Sequence, residues 1–234
     1  YTEKSGLALQ DVSFTLQENK ILGITGATGS GKSTLISLIP RFYDASKGAV
    51  SFAGSNVKDW SLDHLRSEIA IVPQTAVLFS GTIRENLQWG KQDATDEDCW
   101  EALAIAQASE FVETLPKGLD TMILENGKNF SGGQRQRLTI ARALIRKPKL
   151  LILDDSLSAL DYQTDLDLRQ ALKRELDCGV VIISQRLRSI QDAETILLMD
   201  NGKIAAQGSL EELLQESELY QELVNSQAEG GAVQ

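Results

Sequence analysis

The stretch Gly26-Ala27-Thr28-Gly29-Ser30-Gly31-Lys32-Ser33 decides the fold. A glycine, four free positions and Gly-Lys-Ser make a phosphate-loop pattern. Upstream, Ile21–Thr25 reads as a short strand entering the glycine-rich loop. Downstream, Lys32–Ile39 reads as a helix. In that order the glycines let successive backbone N–H groups turn toward one anion, and the helix N-terminus adds positive potential. Lys32 is placed to reach the β- and γ-phosphates of a nucleoside triphosphate, and Ser33 to ligate Mg2+. A second stretch, Leu150-Leu151-Ile152-Leu153-Asp154, completes the pattern. A continuous apolar run suits a strand covered on both faces. A carboxylate at its C-terminal end can hold Mg2+ through water.

Working outward, strands and helices alternate. Val12, Phe14 and Leu16 alternate with polar residues as on a half-buried strand, and Ala49–Ala53 reads as another, stopped by Gly54. Asp96–Leu115 is helix-like. Ser131–Ile145 has helical spacing at Leu138, Ala141, Leu144 and Ile145. A helix near Asp165–Leu176 and a strand Val180–Ile183 repeat the unit, and Ile196–Met199 runs into the turn signal Asn201-Gly202. Leu210–Val224 closes the chain as helix, and the segment 226–234 reads as a mobile tail. The fold class is α/β, with a helical insert around 75–145.

Composition narrows the function. The chain has 234 residues and a net charge of -10. Such an acidic surface repels phosphate backbones, and no dense Lys/Arg run offsets it, so a nucleic-acid partner is not expected. Two cysteines, Cys99 and Cys178, and one histidine, His64, assemble no zinc site and read as reduced thiols and a surface residue. No apolar run approaches the roughly 20 residues that span a bilayer. The chain opens at Tyr1 without methionine, which reads as a segment of a longer polypeptide. Trp60, Trp89 and Trp100 read as scattered packing aromatics.

Phe130-Ser131-Gly132-Gly133-Gln134 opens a helix. Ser131 is a good N-cap, and the two glycines expose N–H groups at a second anion-binding helix start. Taken with the phosphate loop and Asp154, this stretch resembles the ATP-binding cassette (ABC) family, whose signature usually begins with leucine rather than Phe130. The resemblance covers nearly the whole chain. It implies a P-loop NTPase core of ABC type with an antiparallel β subdomain and a helical subdomain, all in one nucleotide-binding domain over 1–234. It implies ATP and Mg2+ as ligands. It also implies head-to-tail pairing with a second nucleotide-binding domain, each signature capping the ATP held by the other's loop.

The family's roles fall on residues of this chain. ATP binding falls to Gly26, Thr28, Gly29, Ser30, Gly31, Lys32, Ser33 and Thr34, with Tyr1 at the distance of the aromatic that stacks on adenine. Ser131, Gly132, Gly133 and Gln134 would face the partner's ATP. Val72-Pro73-Gln74 resembles the Q-loop, so Mg2+ would meet Ser33, Gln74 and Asp154. Ser158-Ala159-Leu160-Asp161 matches the D-loop through Asp161. Leu78-Phe79-Ser80-Gly81-Thr82-Ile83-Arg84-Glu85-Asn86 resembles the segment after the Q-loop in exporters. The resemblance therefore implies an ATPase at the cytoplasmic face of a membrane, this segment itself soluble, coupled to a transmembrane domain on the same or an associated polypeptide.

Besides Phe130, three positions depart from the family. Leu124 stands where exporters commonly have glycine. Asp155 stands where the family's general base is glutamate, and Gln185 where its switch residue is histidine. Glutamine can hydrogen-bond a phosphate but cannot become cationic near neutral pH. Aspartate is about as basic as glutamate, yet lacks one methylene, and a displacement on the order of 1 Å can cost ~10²-fold. Asp155, Gln185 and Gln74 form the candidate catalytic set. The pattern is similar to the weakened half of a heterodimeric exporter such as the antigen-peptide transporter. A non-hydrolysing ATP-holding module and a soluble ABC ATPase of DNA repair or translation stay open as alternatives.

Overall fold

A computed structural model describes residues 8–231 of the chain, with side chains through Gln227. The described residues form two compact units. One runs up to Arg66 and resumes at Gly179; the other is Ser67–Cys178.

The first unit opens with β1 (Ile21–Gly26), all six residues buried, followed by α1 (Lys32–Leu38). β2 (Ser51–Phe52) and β3 (Ser55–Asn56) form an antiparallel hairpin, and α2 (Leu62–Ser67) follows. The hairpin occupies the C-terminal part of the strand expected over Ala49–Ala53. It turns at Ala53 and Gly54, both at positive φ. Val12, Phe14 and Leu16 are half-buried and alternate with exposed neighbours as expected, but no strand is assigned over 8–20. Gln10 N–H donates to the Gly202 carbonyl at 2.8 Å and the Lys20 carbonyl accepts from Val180 N–H at 3.0 Å, one at each end of the segment, so the alternation is present without a strand.

The second unit begins with β4 (Ile69–Val72) and closes with β7 (Leu150–Asp154), which pair in parallel from Ile69↔Leu150 to Val72↔Leu153. Between them lie β5 (Gly81–Thr82), α3 (Ile83–Gln88), α4 (Asp96–Ile105), α5 (Ser109–Glu113), β6 (Met122–Ile123) and α6 (Gly132–Leu144). α6 packs against α3, α4 and β4 through Leu138, Ile140, Ala141 and Leu144, all buried. The helix expected over Asp96–Leu115 is two helices. Ala106 and Ala108 are fully buried and Gln107 between them is left-handed at φ 57°, with Ala108 N–H returning to the Leu103 carbonyl at 2.7 Å. α7 (Tyr162–Glu175) follows β7.

Back in the first unit, β8 (Gly179–Ile183) and β9 (Thr195–Asp200) flank β1 in parallel, and β10 (Lys203–Gly208) lies antiparallel on β9. β1 and β8 are buried end to end, whereas β10 alternates exposed and half-buried as an edge strand does. The β9–β10 turn is Asn201-Gly202, both at positive φ, as a tight hairpin requires. The chain closes with α8 (Leu210–Glu216) and α9 (Glu218–Gly231). The segment expected to be a tail from Ser226 is thus helical through Gly231. Ser217, whose hydroxyl accepts from Tyr220 N–H at 3.2 Å, restarts the helix, and the fully buried Tyr220 anchors it. Among the described residues no helix is long and apolar enough to cross a membrane.

Candidate functional site

The phosphate loop leaves β1 at Gly26, whose φ of 143° lies outside the range of an L side chain and whose Cβ would strike the Met199 carbonyl. Ser30 N–H donates to the Ala27 carbonyl at 3.1 Å, and Gly202 N–H donates to the Ser30 carbonyl at 2.9 Å, so the β9–β10 turn braces the loop. Inside the curl, Lys32 Nζ donates to the Gly26 and Ala27 carbonyls, each at 2.8 Å. Lys32 is buried, while Ala27, Thr28, Gly29 and Ser33 are exposed. A cation is thereby held behind an exposed rim of backbone, the arrangement an incoming phosphate needs.

Gln185, just beyond β8, reaches this rim: its Nε2 donates to Thr28 Oγ1 at 3.3 Å. Thr34 lies half-buried in the first turn of α1. Tyr1 lies outside the described residues.

In the second unit β7 delivers Asp154 and Asp155, both half-buried. Asp155 is left-handed at φ 49°, a region that aspartate tolerates better than most residues. Ser158 fixes it, its Oγ donating to the Asp155 carbonyl at 2.7 Å. Gln74, 81 positions earlier, donates from Nε2 to Asp155 Oδ2 at 2.8 Å. Behind Gln74 stands a residue that sequence reasoning missed: Gln136, 1% exposed, whose Nε2 reaches the Pro73 carbonyl at 3.4 Å. Its signal was a long amide on the mostly apolar buried stripe of α6, where the other buried polar residue, Thr139, satisfies itself on the Arg135 carbonyl one turn back. Asp161 caps α7, accepting from Thr164 N–H at 3.0 Å and from the Thr164 hydroxyl at 2.7 Å. Those bonds hold its carboxyl below the usual range.

Ser131 caps α6 in a reciprocal box: its Oγ accepts from Gln134 N–H at 3.2 Å, and Gln134 Oε1 accepts from Ser131 N–H at 2.9 Å. Phe130 is buried against the Phe111 ring, so the departure from leucine is absorbed inside the unit. Gly132 is exposed, its φ is unremarkable, and a Cβ there would meet nothing nearer than Arg135 Nη2 at 4.0 Å. Nothing within the described chain requires a glycine at this position. Close approach by something outside the chain would.

The Leu78–Asn86 segment is pinned by buried Asn86. Its Oδ1 accepts from Phe79 N–H at 2.9 Å, and its Nδ2 donates to the Phe79 and Thr82 carbonyls at 2.8 and 3.0 Å. This presents Phe79 and Trp89 as an exposed aromatic pair, centroids 5.0 Å apart, with the Arg142 guanidinium over Phe79. Trp89, 71% exposed, is therefore no packing residue, because α3 ends there and turns its ring outward; Trp60 does pack, on Phe52 and His64. Leu124 is exposed as well.

In the first unit the Ser33 hydroxyl, and in the second the Gln74 amide oxygen and the Asp154 carboxylate, are each hard oxygen donors of the kind that Mg2+ accepts.

Known proteins bear on these residues. The family model described as "ABC transporter" matches residues 9–158. An uncharacterized ABC transporter ATP-binding protein of Bacillus subtilis is 45% identical over 97% of this chain and 39% of its own length. The ATP-dependent lipid A-core flippase of Haemophilus influenzae is 41% identical over 98% of this chain and 40% of its own. A bacterial Atm1-family ABC exporter, solved with ATP bound, superposes with a TM-score of 0.90 at 36% identity, over 94% of this chain and 39% of that one. The chain thus spans about two fifths of the length of these relatives. A match over more than half of the chain, with relatives this close across nearly all of it, means that the chain belongs to the ABC transporter family, as an ATP-binding domain homologous to those of ABC exporters.

Proposed function

We propose that this chain is one nucleotide-binding domain, with 75–145 as its helical insert, that powers export across a membrane by pairing head to tail with a different nucleotide-binding domain, and that its own hydrolytic site is weakened. The observation that carries the weakened site is Asp155: one methylene shorter than the family's glutamate, it accepts Gln74 Nε2 at 2.8 Å. A general base must lie within about 2.6–3.2 Å of the proton that it takes. Geometry rather than acidity then limits the site.

In this reading the exposed loop N–H groups and Lys32 bind the β- and γ-phosphates, and Gln185 orients toward the γ-phosphate from its place beside Thr28. Tyr1 stacks on adenine. Ser33, Gln74 and Asp154 hold Mg2+, which when bound neutralises charge building on the phosphates. Ser131–Gln134 serves the partner's nucleotide, consistent with a glycine at 132 that the chain's own packing does not need. The relatives' names supply the export reading, since one is a flippase and another an exporter with ATP bound. The transmembrane domain, on the same or an associated polypeptide, places the domain at the cytoplasmic face.

A second reading, an ATP-holding module that does not hydrolyse, draws on the same Gln74–Asp155 bond. The test is ATPase activity of the purified domain against its own concentration. Mg·ATP binding with very slow turnover is expected. Robust activity rising with the square of concentration would mean a competent homodimer.

A further inference from the structure

Gln227, on α9, is bonded at both ends of its side-chain amide to the loop after β8. Its Nε2 donates to the Gln185 main-chain carbonyl at 2.6 Å, and its Oε1 accepts from Leu187 N–H at 3.1 Å. These two bonds hold the peptide planes on either side of Arg186. The loop also holds itself: Arg186 N–H donates to Ser184 Oγ at 3.0 Å, Ser184 N–H to the Ile24 carbonyl at 3.1 Å, and Ser189 N–H to the Arg186 carbonyl at 3.0 Å, so Gln227 alone contacts the Gln185 carbonyl and the Leu187 N–H among these bonds. From this held backbone the Gln185 side chain reaches Thr28 at 3.3 Å, a length at which a small rotation decides whether the bond persists. A carboxamide offers, without charge, a donor nitrogen and an acceptor oxygen on one carbon, spaced to meet a carbonyl and an N–H together. α9 is anchored seven residues earlier by the fully buried Tyr220, and Gln227 itself is exposed. A change at 227 therefore opens no cavity and leaves the helix docked.

We propose that Gln227 is a positioning residue of the nucleotide site: the C-terminal helix sets the backbone from which Gln185 meets the γ-phosphate. The proposal rests on the reading of Gln185 as a γ-phosphate contact, and the experiment separates the two. In the full-length protein, titration calorimetry with Mg·AMP-PNP and Mg·ADP gives the preference for triphosphate over diphosphate. It is measured for the wild type, Gln185→Ala, Gln227→Leu, Gln227→Glu and Gln185→Ala with Gln227→Leu. Gln227→Leu removes both bonds. Gln227→Glu keeps the acceptor for Leu187 and sets a carboxylate against the Gln185 carbonyl, so it reports the donor bond should the leucine variant fail to fold.

Each Gln227 variant is expected to lower the preference roughly three- to tenfold, the scale of one or two lost neutral hydrogen bonds. Affinity for Mg·ADP should stay unchanged, and the Gln227 change should add nothing once Gln185 is alanine. A merely structural role would lower the melting temperature and leave the preference intact. If Gln185→Ala lowers the preference while both Gln227 variants retain it, or if the two effects add in full, Gln227 does not position Gln185. If Gln185→Ala alone leaves the preference intact, the reading of Gln185 fails and takes the positioning role with it, a result obtained with Gln227 untouched.

Discussion

Gln74 donates from Nε2 to Oδ2 of Asp155 at 2.8 Å, joining the residue after β4 and Pro73 to the residue after β7. β4 and β7 are parallel neighbours in register, so their C-terminal ends deliver both side chains to one place. The bond occupies one oxygen of the carboxylate proposed as the general base.

Lengthening that side chain should restore reach at a cost in stability. Asp155→Glu with Gln185→His is expected to raise single-site turnover by up to ~10²-fold, the scale of a 1 Å displacement, provided that the partner's signature is intact. Asp155 is left-handed at φ 49°, where glutamate is less tolerated than aspartate. Asp155→Glu should therefore lower the melting temperature by roughly 2–4 °C, the shift for about 1 kcal/mol in a domain of this size. Turnover that stays flat beside an intact partner signature would place the defect elsewhere.

Lys32→Ala tests the phosphate loop. Lys32 Nζ bonds two loop carbonyls, so its loss removes the buried cation and frees the curl. A charged hydrogen bond contributes about 1.5–3 kcal/mol, which predicts at least a ~10-fold loss of affinity for a fluorescent ATP analogue. Unchanged affinity would remove the assigned site.

The strand–loop–helix of Ile21–Leu38, the buried β7 and the Ser131 cap were legible because each is local: apolar runs, glycine spacing and an N-cap lie within a few residues of one another. Gln74, Asp155 and Gln185 were legible only through resemblance, since no spacing rule joins residues that far apart. The Gln107 break was invisible, because its left-handed residue is neither glycine nor asparagine and its cause is the burial of Ala106 and Ala108. Gln227 was equally hidden. A single glutamine in a polar helix carries no signal until the loop that it clamps has folded beside it.

Both cysteines should be inert in the native protein. Cys99 and Cys178 are buried, and burial pushes the Cys178 thiol up to about 11. A thiol whose folded pKa is raised favours its protonated form, so the folded state binds more protons than the unfolded one between the ordinary value and the raised one. Its contribution to stability is complete below the ordinary value of 9.0 and is lost as pH rises toward about 11. Iodoacetamide labelling at pH 8, read by peptide mass spectrometry, should leave both unmodified until denaturant is added. Rapid native labelling of Cys178 would contradict the burial.

The last prediction is an asymmetry within the one chain. Under the proposed pairing, the phosphate loop and Asp155 serve one composite site, and Ser131–Gln134 serves the other, where the partner supplies loop and base. The first is weakened and the second is not, so damage to the signature should cost more than damage to the local base. Gly132→Asp is a clean probe because a Cβ at 132 has open space, with nothing nearer than 4.0 Å, and the domain should fold normally. The new carboxylate would face the γ-phosphate bound by the partner. Like charges ~4 Å apart repel by about 4 kcal/mol at an effective dielectric of 20, enough for a loss of roughly three orders of magnitude. Asp155→Ala removes a base that already reaches poorly and should reduce activity only modestly. The measurement is steady-state ATPase of the reconstituted pair for each single variant, with melting curves to verify folding. Should Asp155→Ala prove the more damaging of the two, Asp155 is a working base and the site is not weakened.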